Sequence, residues 1–219
     1  MNDISISEQP ISMVEQYSVS LIDAGKKFNR DWIFRNLDVS LTNGVHYAIT
    51  GNNGSGKSTL LQCIAGALYI NEGSINYSVN NISIKDEDKH TYFSICAPYL
   101  EVIEEMTALE FLTYHANFKP FKKGIDPTTI LNEIGLTKSK DKQIRYYSSG
   151  MKQRIKLAQA FFSDTPILLL DEPCTNLDQK GIDLYNHLIA TLCTDRLVLI
   201  SSNDKTEYQS CSEEIKVGV

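Results

Sequence analysis

The chain has 219 residues, 42% of them hydrophobic and 22% charged, with a formal net charge of −6. That length builds one domain with an ordinary core, and the balance is that of a water-exposed globular protein rather than a fibrous or disordered one. The acidic total gives no sign of a nucleic-acid surface, and no apolar run approaches the roughly 20 residues that a membrane-spanning helix needs.

Residues 1–16 read as a polar leader, with a short helix expected near 12–16 and none of the basic-then-apolar order of an export signal. A cytoplasmic chain is expected, so any transport pathway must come from another polypeptide. Residues 17–22 alternate as a strand, 23–31 are rich in turn formers, and 37–41 alternate again. Residues 45–50 form the next expected strand, followed by a glycine-rich loop and a helix over 58–68. Strands are expected at 74–77 and 90–95. Apolar residues then recur at helical spacing (Leu109, Leu112, Ala116; Ile130, Leu131, Ile134), so 99–147 is read as an inserted helical subdomain. Within it, Asp126-Pro127 is a good N-cap and first-turn pair.

Ser149 is expected to cap a helix running to Phe162. A buried strand at 167–171, a helix over 178–192 and strands at 196–201 and 213–217 complete the chain. Alternating strands and helices predict an α/β fold with a mainly parallel sheet, preceded by an N-terminal antiparallel β portion. The five cysteines (63, 96, 174, 193 and 211) form no C-x-x-C pair and read as thiols in a reducing compartment, Cys174 being a packing residue.

The chemistry concentrates in two places. Gly51-Asn52-Asn53-Gly54-Ser55-Gly56-Lys57-Ser58-Thr59 fits the phosphate-loop pattern G-x-x-x-x-G-K-[ST] between a strand and a helix. In such a loop the glycines let backbone N–H groups close on phosphate oxygens, Lys57 sits between the β- and γ-phosphates, and the Ser58 hydroxyl ligates Mg²⁺. A dinucleotide fingerprint fails, because its glycine spacing differs and it has no use for Lys-Ser. Downstream, four apolar residues end in Asp171-Glu172-Pro173, which places the Asp171 carboxylate for Mg²⁺.

These two motifs, with Tyr147-Ser148-Ser149-Gly150-Met151-Lys152-Gln153-Arg154 between them, resemble the ATP-binding-cassette (ABC) ATPases over nearly the whole chain. The resemblance implies a phosphate-loop NTPase core, ATP and Mg²⁺ as ligands, and Glu172 as the base that activates the attacking water. It makes Ser148, Ser149 and Gly150 a signature that completes the ATP site of a second cassette, with Asp178 in the bridging segment after Asp-Glu-Pro. Phe28 is the best match to the aromatic residue that faces the adenine. The family consensus Leu-Ser-Gly-Gly-Gln departs here at Ser149 and Met151, and the variant resembles that of stand-alone ATPase subunits of export-type bacterial transporters.

Two family residues are missing. Asn203 stands where a histidine touches the γ-phosphate, and no glutamine occurs between Gln62 and Gln143, which leaves Tyr99 or Glu101 for the glutamine's part. The implied function is an ATP-hydrolysing subunit that powers a membrane transporter by dimer closure. Its implied partners are a separate polytopic membrane subunit and a second cassette, in a homodimer, and it would sit peripherally on the inner face of the cell membrane. The alternative is a regulatory or non-transport ABC protein with weak turnover.

Overall fold

A computed structural model describes residues 15–218, so the expected leader and the helix near 12–16 lie almost wholly outside the described residues. Strand β1 (Tyr17–Phe28) pairs antiparallel with β2 (Asp31–Thr42) and with β4 (Glu72–Val79), and β5 (Ile82–Ser83) extends that sheet at the β4 edge. The turn expected over 23–31 is mostly strand. Register shifts after Leu21 and Ile22, around Asp23 at φ 46°, absorb the turn-forming residues as bulges, and only Asn29-Arg30 reverses the chain.

A second sheet is wholly parallel. Its strands are β3 (His46–Thr50), β6 (Phe93–Cys96), β7 (Ile167–Asp171), β8 (Leu197–Ser201) and β9 (Glu213–Lys216), in the order β6-β7-β8-β3-β9. The continuous apolar run of β7 has a physical cause: the sheet is covered on both faces. Leu168 and Leu170 pack with the helices α2 (Ala108–Phe118), α3 (Pro127–Glu133), α4 (Ser149–Phe162) and α5 (Gln179–Leu192). Ile167 and Leu169 point the other way, toward α1 (Lys57–Ile64) and the antiparallel sheet.

Element ends differ from expectation where caps decide them. The helix expected to reach residue 68 stops at Ile64, and Gly66 follows at φ 72°. The cap of α4 is Ser148 rather than Ser149, its hydroxyl accepting from the Met151 N–H at 3.3 Å. Asp126 caps α3 with Pro127 in the first turn, and Thr107 and Glu110 form a capping box on α2. The strand expected from residue 90 begins at Phe93, after a 3₁₀ turn at Lys89–Thr91. No helix among the described residues is long and apolar enough to cross a membrane.

Where α2 meets the end of α4, His115 Nε2 lies 3.0 Å from the Ser163 hydroxyl, which itself donates to the Gln159 carbonyl. The imidazole therefore donates through Nε2. Burial, and then the Lys119 ammonium, press its pKa from 6.5 down to about 4. A His held neutral in the fold takes up a proton more readily when unfolded, so its contribution to stability is full above pH 6.5 and falls as pH drops toward 4. His115→Asn should flatten that part of the profile; urea melts of both proteins across this range check it, and parallel slopes would count against the assignment.

Candidate nucleotide site

The parallel register puts the carboxyl ends of β7, β8 and β3 side by side, and every chemical group of the core site leaves from one of those ends. After β3 the chain turns into the loop 51–56. Gly51, at φ 148°, could carry no Cβ without meeting the Val217 carbonyl at 2.2 Å. Gly56, at φ 99°, would drive a Cβ to 2.0 Å from Ile33 Cγ2. Gly56 is also the N-cap of α1 and offers no side-chain cap, so the first N–H groups of that helix stay free for an anionic ligand.

Lys57, only 6% exposed, folds its ammonium back over the loop, donating to the Gly51 and Asn52 carbonyls at 2.9 and 3.1 Å. Asn53, Gly54, Gly56, Lys57, Ser58 and Thr59 line a cleft of about 250 Å³ with Ile33 and Glu172. The loop's other flank, with Asn52, Asn53, Gly54 and Ser55, opens into a neighbouring cleft of about 340 Å³ whose far wall holds Trp32 and Ile33.

Phe28, expected against the adenine, does not line either cleft. It ends β1 at the hairpin tip, 46% exposed, with Lys26 Nζ 4.8 Å from its ring centre. The cause is strand register: Phe28 pairs with Asp31, so the next residues along β2 are the ones that lean over the loop. Trp32, with Lys27 Nζ 5.0 Å and the Arg35 guanidinium 4.5 Å from its ring centre, is the aromatic side chain at that wall.

Asp171 is 2% exposed, and its Oδ1 has no hydrogen-bond partner. A buried carboxylate oxygen with no donor calls for a cation or that cation's water shell, so the residues present fit Mg²⁺. No group of three or more His, Cys, Asp or Glu side chains among the described residues converges to hold a metal, so such an ion would need oxygens from a nucleotide as well. Glu172 follows at φ 42°, a left-handed conformation rare outside glycine, with its N–H donating to the Ser201 carbonyl at 2.9 Å. That turn throws the Glu172 side chain out of the strand and over the loop cleft.

Asn203 reaches the phosphate loop: its Nδ2 donates to Asn53 Oδ1 at 2.5 Å. It does not cap the turn after β8. Asp204 does, accepting from the Thr206 N–H and hydroxyl at 2.9 and 2.8 Å, while the Asp204 N–H donates to Ser202 Oγ. Beside the place of the missing glutamine, Tyr99 lies close enough to Asp171 that burial, and then the Asp171 charge, push its phenol up to about 12.

The signature residues stand elsewhere. Ser148, Ser149, Gly150 and Arg154 line a cleft of about 470 Å³ with Asn176 and Asp178, and it shares no residue with the loop cleft. Asp178 caps α5 through the Gly181 N–H at 2.9 Å and pairs with Arg154 at 3.1 Å. Gln153, which belongs to the 147–154 motif but was given no role of its own there, and Glu207, which no sequence pattern marked, are buried beside the Asp-Glu-Pro turn.

The family model described as "ABC transporter" matches residues 34–175. An uncharacterized ABC transporter ATP-binding protein, YybJ, of Bacillus subtilis (strain 168) is 31% identical over 199 residues, covering 88% of each chain. The cytochrome c biogenesis ATP-binding export protein CcmA of Xylella fastidiosa (strain 9a5c) is 33% identical over 154 residues, 70% of this chain and 68% of that one. The dimeric ATP-binding cassette MJ0796, solved in a post-hydrolysis state bound to ADP and Pi, shares the fold at a TM-score of 0.77 and 22% identity, over 91% of this chain and 94% of that one. With a phosphate loop, a buried strand-end aspartate followed by glutamate, and a separate signature cleft in one α/β frame, the chain belongs to the ABC transporter family, as an ATP-binding, ATP-hydrolysing cassette.

Proposed function

We propose that two copies of this cassette close head to tail over two ATP molecules, and that closure and hydrolysis drive a separate polytopic membrane subunit from the inner face of the cell membrane. The observation that carries this reading is the separation of the two clefts: the signature of one chain covers none of its own phosphate loop. A nucleotide on the loop then needs the Ser148–Gly150 end of α4 from a second copy, whose free N–H groups face the γ-phosphate. Residues 99–147 form the inserted helical unit that meets the membrane subunit in this reading.

Within one site, Trp32 supplies the aromatic face for adenine, in place of Phe28. The loop N–H groups and Lys57, released from the Gly51 and Asn52 carbonyls, hold the β- and γ-phosphates. Ser58 and Asp171 are the residues that would hold Mg²⁺, which when bound neutralises charge on the phosphates. Glu172 takes a proton from water as the water oxygen attacks the γ-phosphorus, and the bond to the ADP oxygen breaks on the opposite side. Asn203 orders the loop through Asn53 and donates to the γ-phosphate by a neutral hydrogen bond where the family has an imidazole. The export-type names of similar proteins and the variant signature favour an exporter; the cargo is selected by the membrane subunit.

Substitutions at three residues test this. Lys57→Ala should abolish ATP binding in a fluorescent-nucleotide titration, and unchanged affinity would remove the phosphate-loop assignment. Glu172→Gln should bind ATP, stop turnover and elute as a dimer with ATP and Mg²⁺; a mutant that stays monomeric or hydrolyses normally would end the role given to Glu172. Asn203→Ala should slow hydrolysis by roughly one to two decades, since hydrogen bonds to charged groups contribute about 1.5–3 kcal/mol each. Asn203→His should match or exceed the wild-type rate, because the ring can donate to the same oxygen and carry charge. Wild-type turnover in Asn203→Ala would take that residue off the site.

A further inference from the structure

One peptide bond beside the site is held on both of its polar atoms by buried side chains. The Pro173 carbonyl accepts from Gln153 Nε2 at 2.7 Å, and the Cys174 N–H donates to Glu207 Oε1 at 2.7 Å. These are the two ends of the same peptide unit, immediately after Glu172. Gln153 is 4% exposed and Glu207 6%, positions where an amide or a carboxylate is costly unless it is hydrogen-bonded.

The two side chains come from different directions. Gln153 sits on α4, whose N-terminus carries Ser148, Ser149 and Gly150. Glu207 follows the segment that carries Asn203. Its carbonyl accepts the Tyr185 hydroxyl of α5 at 2.6 Å. Glu172 itself is held at φ 42°, and a non-glycine residue stays in that region only when its surroundings over-determine it. Glu207 lines one cleft with Glu172, Thr175, Ser202 and Asn203, so the clamp and the carboxylate share a wall.

We propose that Gln153 and Glu207 are a pair of positioning residues that fix the Glu172 turn by clamping the Pro173–Cys174 peptide, and so tie the base to the signature helix on one side and to the Asn203 segment on the other. The proposal rests on the reading of Glu172 as the base and of the signature as serving the opposite copy. Its consequence is a path between the two sites: a shift of α4 on meeting the partner's nucleotide moves the peptide next to Glu172 of its own site.

The test uses the full chain. Gln153→Ala and Glu207→Ala should each lower kcat by about tenfold or more, with KM and ATP affinity within about twofold of wild type. Amide exchange should quicken over 172–178 and stay unchanged over 51–59. Glu207→Gln keeps an acceptor for the Cys174 N–H and should retain kcat within about threefold, and the double alanine variant should lose little beyond either single one. Where an alanine variant does not fold, Gln153→Met and Glu207→Gln decide the question: the first slow with intact ATP affinity, the second close to wild type. Wild-type rates in the Gln153 and Glu207 alanine variants, Glu207→Gln as slow as Glu207→Ala, or parallel loss of stability, ATP affinity and kcat overturns the clamp alone. A wild-type chain that binds ATP without hydrolysing it overturns the hydrolytic reading first, whatever the variants do.

Discussion

The parallel pairing of β7, β8 and β3 is the constraint from which the site follows. Asp171 pairs with Ser201 across β7 and β8, and Ile49 pairs with Ser201 across β3 and β8, so three chain segments far apart in sequence leave the sheet at one level. Parallel ladders survive when both faces are covered, and here the helices cover one face while α1 and the antiparallel sheet cover the other. The continuous apolar run of β7 is therefore as much a requirement of the site as the glycines are. A slip of one residue in that pairing would exchange the two faces and carry Asp171 away from the loop.

At the ends of those strands the fold leaves polar groups deliberately underpaired. Asp171 Oδ1 and the Ser55 and Ser201 hydroxyl oxygens are buried without partners, and Lys57 spends its donors on loop carbonyls. Such groups disfavour the empty site and favour a ligand carrying phosphate oxygens and a cation, because each is matched only when both arrive. The left-handed Glu172 belongs to the same economy, since its geometry holds only while neighbouring hydrogen bonds enforce it.

The departures from the family pattern are local and chemically coherent. With Asp204 and Ser202 capping the turn after β8, Asn203 is free to reach Asn53, so a neutral amide contacts the loop where an imidazole would otherwise stand. Tyr99 stands on the Asp171 side, near where the family glutamine is lacking. Trp32 replaces Phe28 at the loop wall for the same kind of reason, a matter of which residue the hairpin register turns inward.

The sequence by itself determined the phosphate loop, the Asp171-Glu172 strand end, the α/β class and the succession of most strands along the chain, while their order in the two sheets came from the tertiary structure. Each of these is a short contiguous pattern with one dominant physical cause: glycine at left-handed positions, a cap before a periodic run, an apolar strand buried on both faces. The bulged continuation of β1 and the choice of Trp32 over Phe28 were decided by cross-strand pairing, which single-strand patterning does not encode. The Asn203–Asn53 contact spans 150 positions, and the grip on the Pro173–Cys174 peptide joins Gln153 to Glu207 through a turn between them. Gln153 sits in a motif whose pattern names no partner for it, and Glu207 looks like an ordinary loop glutamate in sequence. Only the tertiary structure decided what they do, because a hydrogen bond between distant segments exists once the sheet and helices have brought its donor and acceptor within reach.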